Sequence, residues 1–290
     1  MKLKQLFNEK ELVFSFEIFP PNQSFPLEKF YTVIDELSKH TPDYISVTYG
    51  AGGSTKDRTV EIASYIKNNL NIETVAHLTC LGSKKEDIQK ILKQLEENNI
   101  QNILALRGDV PKGEDESIFD RGDYKYSSDL IEDINKTKKF SIAAAFYPEV
   151  HHENNDILDL IHLKNKVDKG ASFLISQVFF DNNNFYDFKE NAEKIEIDTP
   201  LVAGIMPVIN ANQIKRIVEL CHCEVPKQLE KILDKYGHDD ESMFKAGVAY
   251  ATEQIIELVA NDTRGIHLYT MNKSQAVNEI MNNVNFIRKI

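Results

Sequence analysis

Apolar and polar positions follow two different periods along this chain. Short runs rich in β-branched and aromatic residues recur at 13–19, 44–48, 74–78, 102–106, 141–147, 173–179, 201–206 and 265–269. Several are apolar throughout, the pattern of parallel strands covered on both faces. Between them, apolar residues fall at helical spacing: Ile34 and Leu37, then Ile62, Ile66 and Leu70, then Ile88, Ile91, Leu92 and Leu95, then Leu158, Ile161 and Leu163. Such stripes predict helices with one face on a core. Ser83 stands three residues before Glu86, which predicts a capping-box start to the third of these helices.

The spacing of the run ends decides the architecture. Glu17, Thr48, His77, Arg107, Tyr147, Gln177 and Pro207 lie 31, 29, 30, 40, 30 and 30 residues apart. One right-handed βα unit takes about 30 residues or more. The step of 40 contains residues 112–125, poor in apolar side chains and rich in Asp, Glu and Gly. The last step, from Pro207 to Tyr269, is 62 residues, and its excess at about 223–240 reads as a helical insertion before the last strand. Eight βα units predict a (β/α)8 TIM barrel. A doubly wound sheet is the alternative, but no GxGxxG follows any run. No linker or low-complexity tract divides the chain, so residues 1–290 read as one domain.

Composition narrows the function classes. The chain carries 34 basic and 45 acidic residues, a net charge of −11, and no clustered basic stretch, which argues against nucleic acid. No run approaches the ~18 apolar residues of a membrane helix, and charges occupy the N-terminus where a secretory signal has its apolar region. Three cysteines are too few for a disulfide framework and fit a reducing cytoplasm. At 290 residues the chain can build a core without such staples.

Active sites of such barrels form at the C-terminal ends of the strands, and polar residues concentrate there. Glu17 lies in SFEIFPP between Phe16 and Phe19. Poor solvation would favour its neutral form and suit a general acid, whereas a salt-bridged strand-end glutamate is the plainer alternative. Residues 46–54, SVTYGAGGS, expose backbone amides that could hold a phosphate. His77 ends the third run, where a structural hydrogen bonder is as good a reading as a catalyst. Arg107, Gly108 and Asp109 end the fourth and suit a ligand with donors and acceptors, or an internal salt bridge. Gln177 ends the sixth and matches an amide-like edge such as a nicotinamide or a pterin. His151-His152-Glu153 and Cys221-His222-Cys223 lack the spacing of a metal site, so no metal is expected.

Nine segments together carry more than any one of them. SFEIFPP, SVTYGAGGST, AHLTC, ALRGD, YPEVH, LKNKVDKGA, SQVFFD, GIMPV and LYTMNK run in this order from Ser15 to Lys273. In this the chain resembles the methylenetetrahydrofolate reductase family, short bacterial type. The resemblance implies a TIM barrel that binds FAD non-covalently. It implies reduction of 5,10-methylenetetrahydrofolate to 5-methyltetrahydrofolate with NADH or NADPH, in ping-pong fashion, as a supply of methyl groups for methionine synthesis. It also implies a soluble homo-oligomer without the regulatory extension of long eukaryotic members. No arginine cluster lies near the nicotinamide segments, which leans towards NADH.

The same resemblance assigns roles. Glu17 matches the general acid, since the methylene bridge opens to an N5 iminium before accepting hydride and N5 needs proton help. Asp109 matches a carboxylate near flavin and pterin. Thr48 and Gln177 match nicotinamide contacts, and Gln177 also serves folate. Tyr49, Ala51, His77, Arg107, Gly108, Tyr126, Ser127, Tyr147, His151, Asp159 and Lys166 match FAD contacts. Gln213 and Lys273 match folate contacts. Lys273 stands where a well-known bacterial member has Arg, keeping the charge but losing the planar fork. His162 and Asn165 replace Asn and Arg in FAD-binding stretches. A folate-handling methyltransferase barrel is the alternative enzyme, but it would want a zinc thiolate set that three scattered cysteines supply poorly. A protein that only binds flavin or folate would need neither Glu17 nor Asp109.

Overall fold

Apolar runs this short cannot satisfy their backbone alone, and pairing side by side in chain order solves this at every strand. The computed structural model describes residues 1–22, 24–49, 56–110, 113, 115, 117–151 and 155–289, without the side chains of 56, 57, 119 and 289. In chain order the elements are α1 (Leu3–Glu9), β1 (Val13–Ile18), α2 (Leu27–Ser38), β2 (Tyr44–Val47), α3 (Lys56–Asn68), β3 (Glu73–Thr79), α4 (Lys85–Glu97), β4 (Asn102–Leu106), α5 (Ile118–Arg121) and α6 (Ser127–Thr137). They continue with β5 (Ser141–Phe146), α7 (Asp156–Asp168), β6 (Phe173–Ser176), α8 (Asn182–Lys194), β7 (Leu201–Ile205), α9 (Ala211–Cys221), α10 (Lys227–Tyr236), α11 (Asp240–Ala260), β8 (Gly265–Tyr269) and α12 (Ser274–Val284). The strands pair in parallel from β1 to β8, and β8 closes onto β1. The (β/α)8 barrel expected from the spacing is the observed fold. Among the described residues no helix is long and apolar enough to cross a membrane.

Strand alternation divides each run between two cores. Phe14, Phe16 and Ile18 of β1 point outward and are buried with Ile34, Leu37, Ile62 and Ile66 of the surrounding helices. Val13 points inward with Tyr44, Val75, Leu104, Ala143, Phe173 and Val202. Leu3, Leu6 and Phe7 of α1 close this inner layer from below, and the Phe7 ring lies 5.3 Å from that of Phe173. The backbone N–H of Leu3 donates to Asn102 Oδ1 at 2.8 Å, and the Arg264 guanidinium donates to the Phe7 carbonyl. Each buried apolar side chain of this plug is worth about 1.5–3 kcal/mol. The charged N-terminal stretch by itself predicts no such helix.

Three expectations need correction. Ser83 does not cap α4, whose N-cap position is Lys84. Asp123, 38 residues away, does that work by accepting the Lys85 N–H at 2.9 Å. On α7 only Leu163 is buried, whereas Leu158 and Ile161 are 43% and 54% exposed. Apolar residues surround that helix too widely for all of them to face one core. Leu70 lies beyond the end of α3. The acidic loop also holds more order than its composition suggested, since it contains α5 and a buried Tyr124 whose hydroxyl donates to Asp133 at 3.1 Å. The insertion before the last strand is α10. Val178, Phe180, Met206, Val208, Leu229 and Met243 form the separate apolar cluster that seats it.

Candidate active site

The lumen turns polar towards the C-terminal ends of the strands. Ser15 and Glu17 of β1, Ser46 of β2, His77 of β3 and His267 of β8 all sit on inward positions. Register places Glu17 opposite Ser46 on one side and Tyr269 on the other, with Ser15 opposite His267. Three groups converge on one carboxylate oxygen. Glu17 Oε2 lies 3.4 Å from His267 Nε2, 3.4 Å from His77 Nε2 and 3.5 Å from the Ser46 hydroxyl. The backbone of Glu17 is pinned as well, since the Thr270 hydroxyl donates to its carbonyl at 2.6 Å.

Glu17 is therefore not set among apolar side chains as its neighbours in sequence suggested. Period-2 alternation turns Phe16 and Ile18 out of the lumen, while the glutamate, 13% exposed, faces imidazoles and a hydroxyl. Burial pushes its carboxyl up, but opposing influences, the hydrogen bond from His267 first among them, pull it below the usual value. Burial pushes His77 down to about 4 against the pull of Glu17. His77 is thus neutral near pH 7, and the downward pull on Glu17 comes through His267.

The depressed His77 has a consequence for stability. The unfolded chain takes up its proton from about pH 6.5, whereas the folded protein resists until about 4. Stability should be full above pH 6.5 and fall towards pH 4, by up to about 1.4 kcal/mol per pH unit. A lowered Glu17 adds a loss only below its ordinary value of 4.5. Replacing His77 with Gln should flatten the loss between pH 6.5 and 5 in urea unfolding, and an unchanged slope would contradict the burial of a neutral imidazole.

The other expected site residues ring the mouth in two groups. On the β4–β5 side, Arg107 accepts the Leu81 N–H through its carbonyl at 2.8 Å, and the Tyr147 ring stands edge-on to His151 at 4.6 Å. The His151 N–H donates to the Asp159 carboxylate. Lys166 donates to the Ala145 carbonyl at 2.9 Å. Tyr126, exposed, lies 6.3 Å from the ring of His162, and Ser127 is buried beside it at the start of α6. Asn165 is exposed on α7, one residue before Lys166. On the other side, Gln213 of α9 reaches the Met206 sulfur at 3.9 Å, and Lys273 is exposed after β8.

Between these groups, Asp109 is exposed at the mouth, and its charge bears on Tyr147 and on Cys221. Gln177 turns its side-chain carbonyl back to the Val178 N–H at 2.8 Å. The Thr48 N–H donates to the Ile18 carbonyl at 3.0 Å, and Tyr49 packs against the outer core. Ala51 and the glycines around it lie outside the described residues, as do His152 and Glu153 of the first trio weighed for metal.

A model of the family described as methylenetetrahydrofolate reductase matches residues 2–285. The chain belongs to that family. A protein of Arabidopsis thaliana named methylenetetrahydrofolate reductase (NADH) 1 is 35% identical over 298 residues, which is 99% of this chain and 50% of that protein. The chain thus spans about half the length of the plant relatives it matches. A protein of Escherichia coli K12 named 5,10-methylenetetrahydrofolate reductase is 34% identical over 262 residues, 90% of this chain and 86% of its own. Among solved structures, a Clostridium thermocellum protein that binds two copies of 5-methyl-5,6,7,8-tetrahydrofolic acid superposes with a TM-score of 0.69. At 15% identity over 99% of both chains, it attests the shared fold alone.

The methylenetetrahydrofolate reductase resemblance implied FAD, and the described residues fit such a group. His77 Nε2 is a buried polar atom without a hydrogen-bond partner among the described residues. Gly108 has φ +91°, and a Cβ there would lie 3.0 Å from the Thr79 Cβ, so backbone alone can occupy that edge of the mouth. Burial pushes the Lys166 ammonium down to about 8 despite Asp159. An anionic group beside it would raise it again.

Some members of this site were missed in the sequence. His267 was one, although a histidine within GIHLY is the same signal as a glutamate within FSFEI. In the sequence, Cys221 suggests only a metal ligand. It stands at the end of α9, where burial and the charges of Asp109 and Glu17 push its thiol up to about 11. Asn272 clamps the chain after Glu17, accepting the Phe19 N–H at 3.1 Å and donating to the Phe19 carbonyl at 2.9 Å.

Proposed function

We propose that this protein reduces 5,10-methylenetetrahydrofolate to 5-methyltetrahydrofolate, using FAD and a reduced nicotinamide, NADH rather than NADPH. The observation that carries the reading is Glu17, a carboxylate held in the barrel lumen at the site face of a chain of this family. The plant relatives named for NADH support the choice of nicotinamide. When bound, FAD would accept hydride from the nicotinamide and supply it to the folate. His77, Arg107, Gly108, Tyr126, Ser127, Tyr147, His151, Asp159, His162, Asn165 and Lys166 would hold it, with Tyr49 and Ala51 from the sequence after β2, and Thr48 would meet the nicotinamide.

The chain's own residues supply binding and the proton. Glu17 protonates the pterin nitrogen as the methylene bridge opens. Asp109 places negative charge at the mouth, where it favours a cationic folate. Gln177 can meet the amide-like edge of a nicotinamide or a pterin with its donor and acceptor. Gln213 and Lys273 hold the folate from the β7–β8 side, Lys273 as a point charge for its glutamate carboxylates. Gln177 serving both substrates supports binding in turn, so steady-state plots at several NADH levels should be parallel. Intersecting lines would contradict a shared site.

Asp109 gives a separate test. Its negative charge beside the cofactor disfavours added electrons, so Asp109→Asn should raise the flavin reduction potential. For a two-electron couple, a rise of about 30 mV corresponds to about 1.4 kcal/mol. The folate half-reaction should slow in stopped flow while oxidation of NADH suffers less. An unchanged potential with equal slowing of both halves would make Asp109 a structural residue.

A further inference from the structure

Beneath Glu17 lies a polar chain that the assigned roles do not use. His267 has no solvent exposure, and neither do Ser15 and Ser46. His267 Nδ1 lies 2.7 Å from the Ser15 hydroxyl, which also lies 3.2 Å from the Ile266 carbonyl. His267 Nε2 lies 3.4 Å from both Glu17 Oε2 and the Ser46 hydroxyl. A serine hydroxyl has one proton to give, and the shorter contact is to Nδ1. Ser15 donating to Nδ1 leaves the imidazole neutral with its proton on Nε2, aimed at the carboxylate.

The carboxylate geometry agrees. Every hydrogen bond made by the Glu17 side chain among the described residues goes to Oε2, and the His77 imidazole approaches that same oxygen. An oxygen that accepts from Ser46 and His267 cannot also carry its own proton. The proton of the acid form then sits on Oε1, the oxygen left for the pocket.

We propose that His267, oriented by Ser15, is a positioning residue that donates to Glu17 Oε2 and so fixes the acid proton on Oε1. The proposal rests on the reading of Glu17 as the general acid. In that step the Oε1–H bond breaks and an N–H bond to the folate forms. The charge left on the carboxylate meets the Nε2–H of His267, and solvent returns a proton to Oε1 between turnovers. The pairing makes Glu17 a stronger acid than its burial alone would allow.

Other titratable groups facing Glu17 do not compete. Tyr44, Tyr269 and Cys221 are all pushed up by burial and stay neutral through the working range. His77 is neutral above about pH 4. His267 is therefore the group whose removal should move the titration of Glu17.

Two measurements test this. In the wild-type holoenzyme, ¹⁵N chemical shifts of the histidines should show His267 as the neutral Nε2–H tautomer, and this needs no variant to fold. A neutral Nδ1–H tautomer would overturn the proposal. Second, the Glu17 carboxyl stretch, assigned by its loss in Glu17→Gln, should titrate about one pH unit or more higher in His267→Leu. The pH above which folate reduction declines should rise with it, while oxidation of NADH keeps its profile. His267→Gln, which keeps a donor, should restore part of the shift. An unmoved titration in a folded His267→Leu protein would overturn the proposal. Absence of folate turnover in the wild type would instead overturn the functional reading on which the acid role rests.

Discussion

Glu17→Gln should nearly abolish folate reduction while leaving oxidation of NADH by the holoenzyme close to wild type. The amide keeps the shape of the carboxyl, and its carbonyl can take the place of Oε2 among Ser46, His267 and His77. What it lacks is a transferable proton. Loss of general-acid help costs about 10²–10⁴ in rate, or roughly 3–5 kcal/mol. The fold should survive, because the backbone of residue 17 is held through its carbonyl by Thr270 rather than through the side chain. Separate rapid-reaction measurements of the two halves check this, and folate reduction by the variant at near wild-type rate would contradict the role of Glu17.

The largest effect on stability is expected at Gly247, which has no assigned part in the chemistry. This residue of α11 faces the turn after β7, and a Cβ there would lie 1.9 Å from the Val208 carbonyl oxygen. The obstacle is backbone on both sides, so no rotamer change relieves it. Overpacking of this kind costs about 1–3 kcal/mol or more. Gly247→Ala should therefore lower Tm by about 6–12 °C if the cost is near 3 kcal/mol. The displaced turn leads into α9, which carries Gln213, so the KM for folate should rise more than the KM for NADH. A variant with unchanged Tm would show that α11 can back away from the turn freely.

The barrel was legible because both faces of its strands are buried, which leaves eight apolar runs, most of them about 30 residues apart. The runs overshoot some strands for a physical reason. Val178 and Phe180, beyond β6, are apolar because they pack beneath the insertion, not because they pair. The plug helix was illegible: its three apolar residues sit in a charged stretch, and only the open lower end of the lumen gives them a place to go. The cap at Lys85 was illegible because its acceptor, Asp123, is distant in sequence.

The candidate site divides in the same way. Glu17 and the residues of the β4 and β5 ends stand out as polar groups closing apolar runs. Its surroundings did not, because which neighbours face the lumen depends on strand register. Ser15, Ser46 and His267 come together only once β1 is paired with β2 on one side and β8 on the other. The same register reversed the expected influence on Glu17, from apolar surroundings that raise its pKa to donors that lower it.

The central claim is an FAD-dependent reduction of methylenetetrahydrofolate by this chain, and sequential anaerobic additions to the purified protein test it directly. The protein should be yellow as isolated. NADH should bleach the flavin absorbance, and 5,10-methylenetetrahydrofolate added next should restore it with formation of 5-methyltetrahydrofolate. A colourless protein that binds no added FAD, or a bleached protein whose colour the folate fails to restore, would contradict the account.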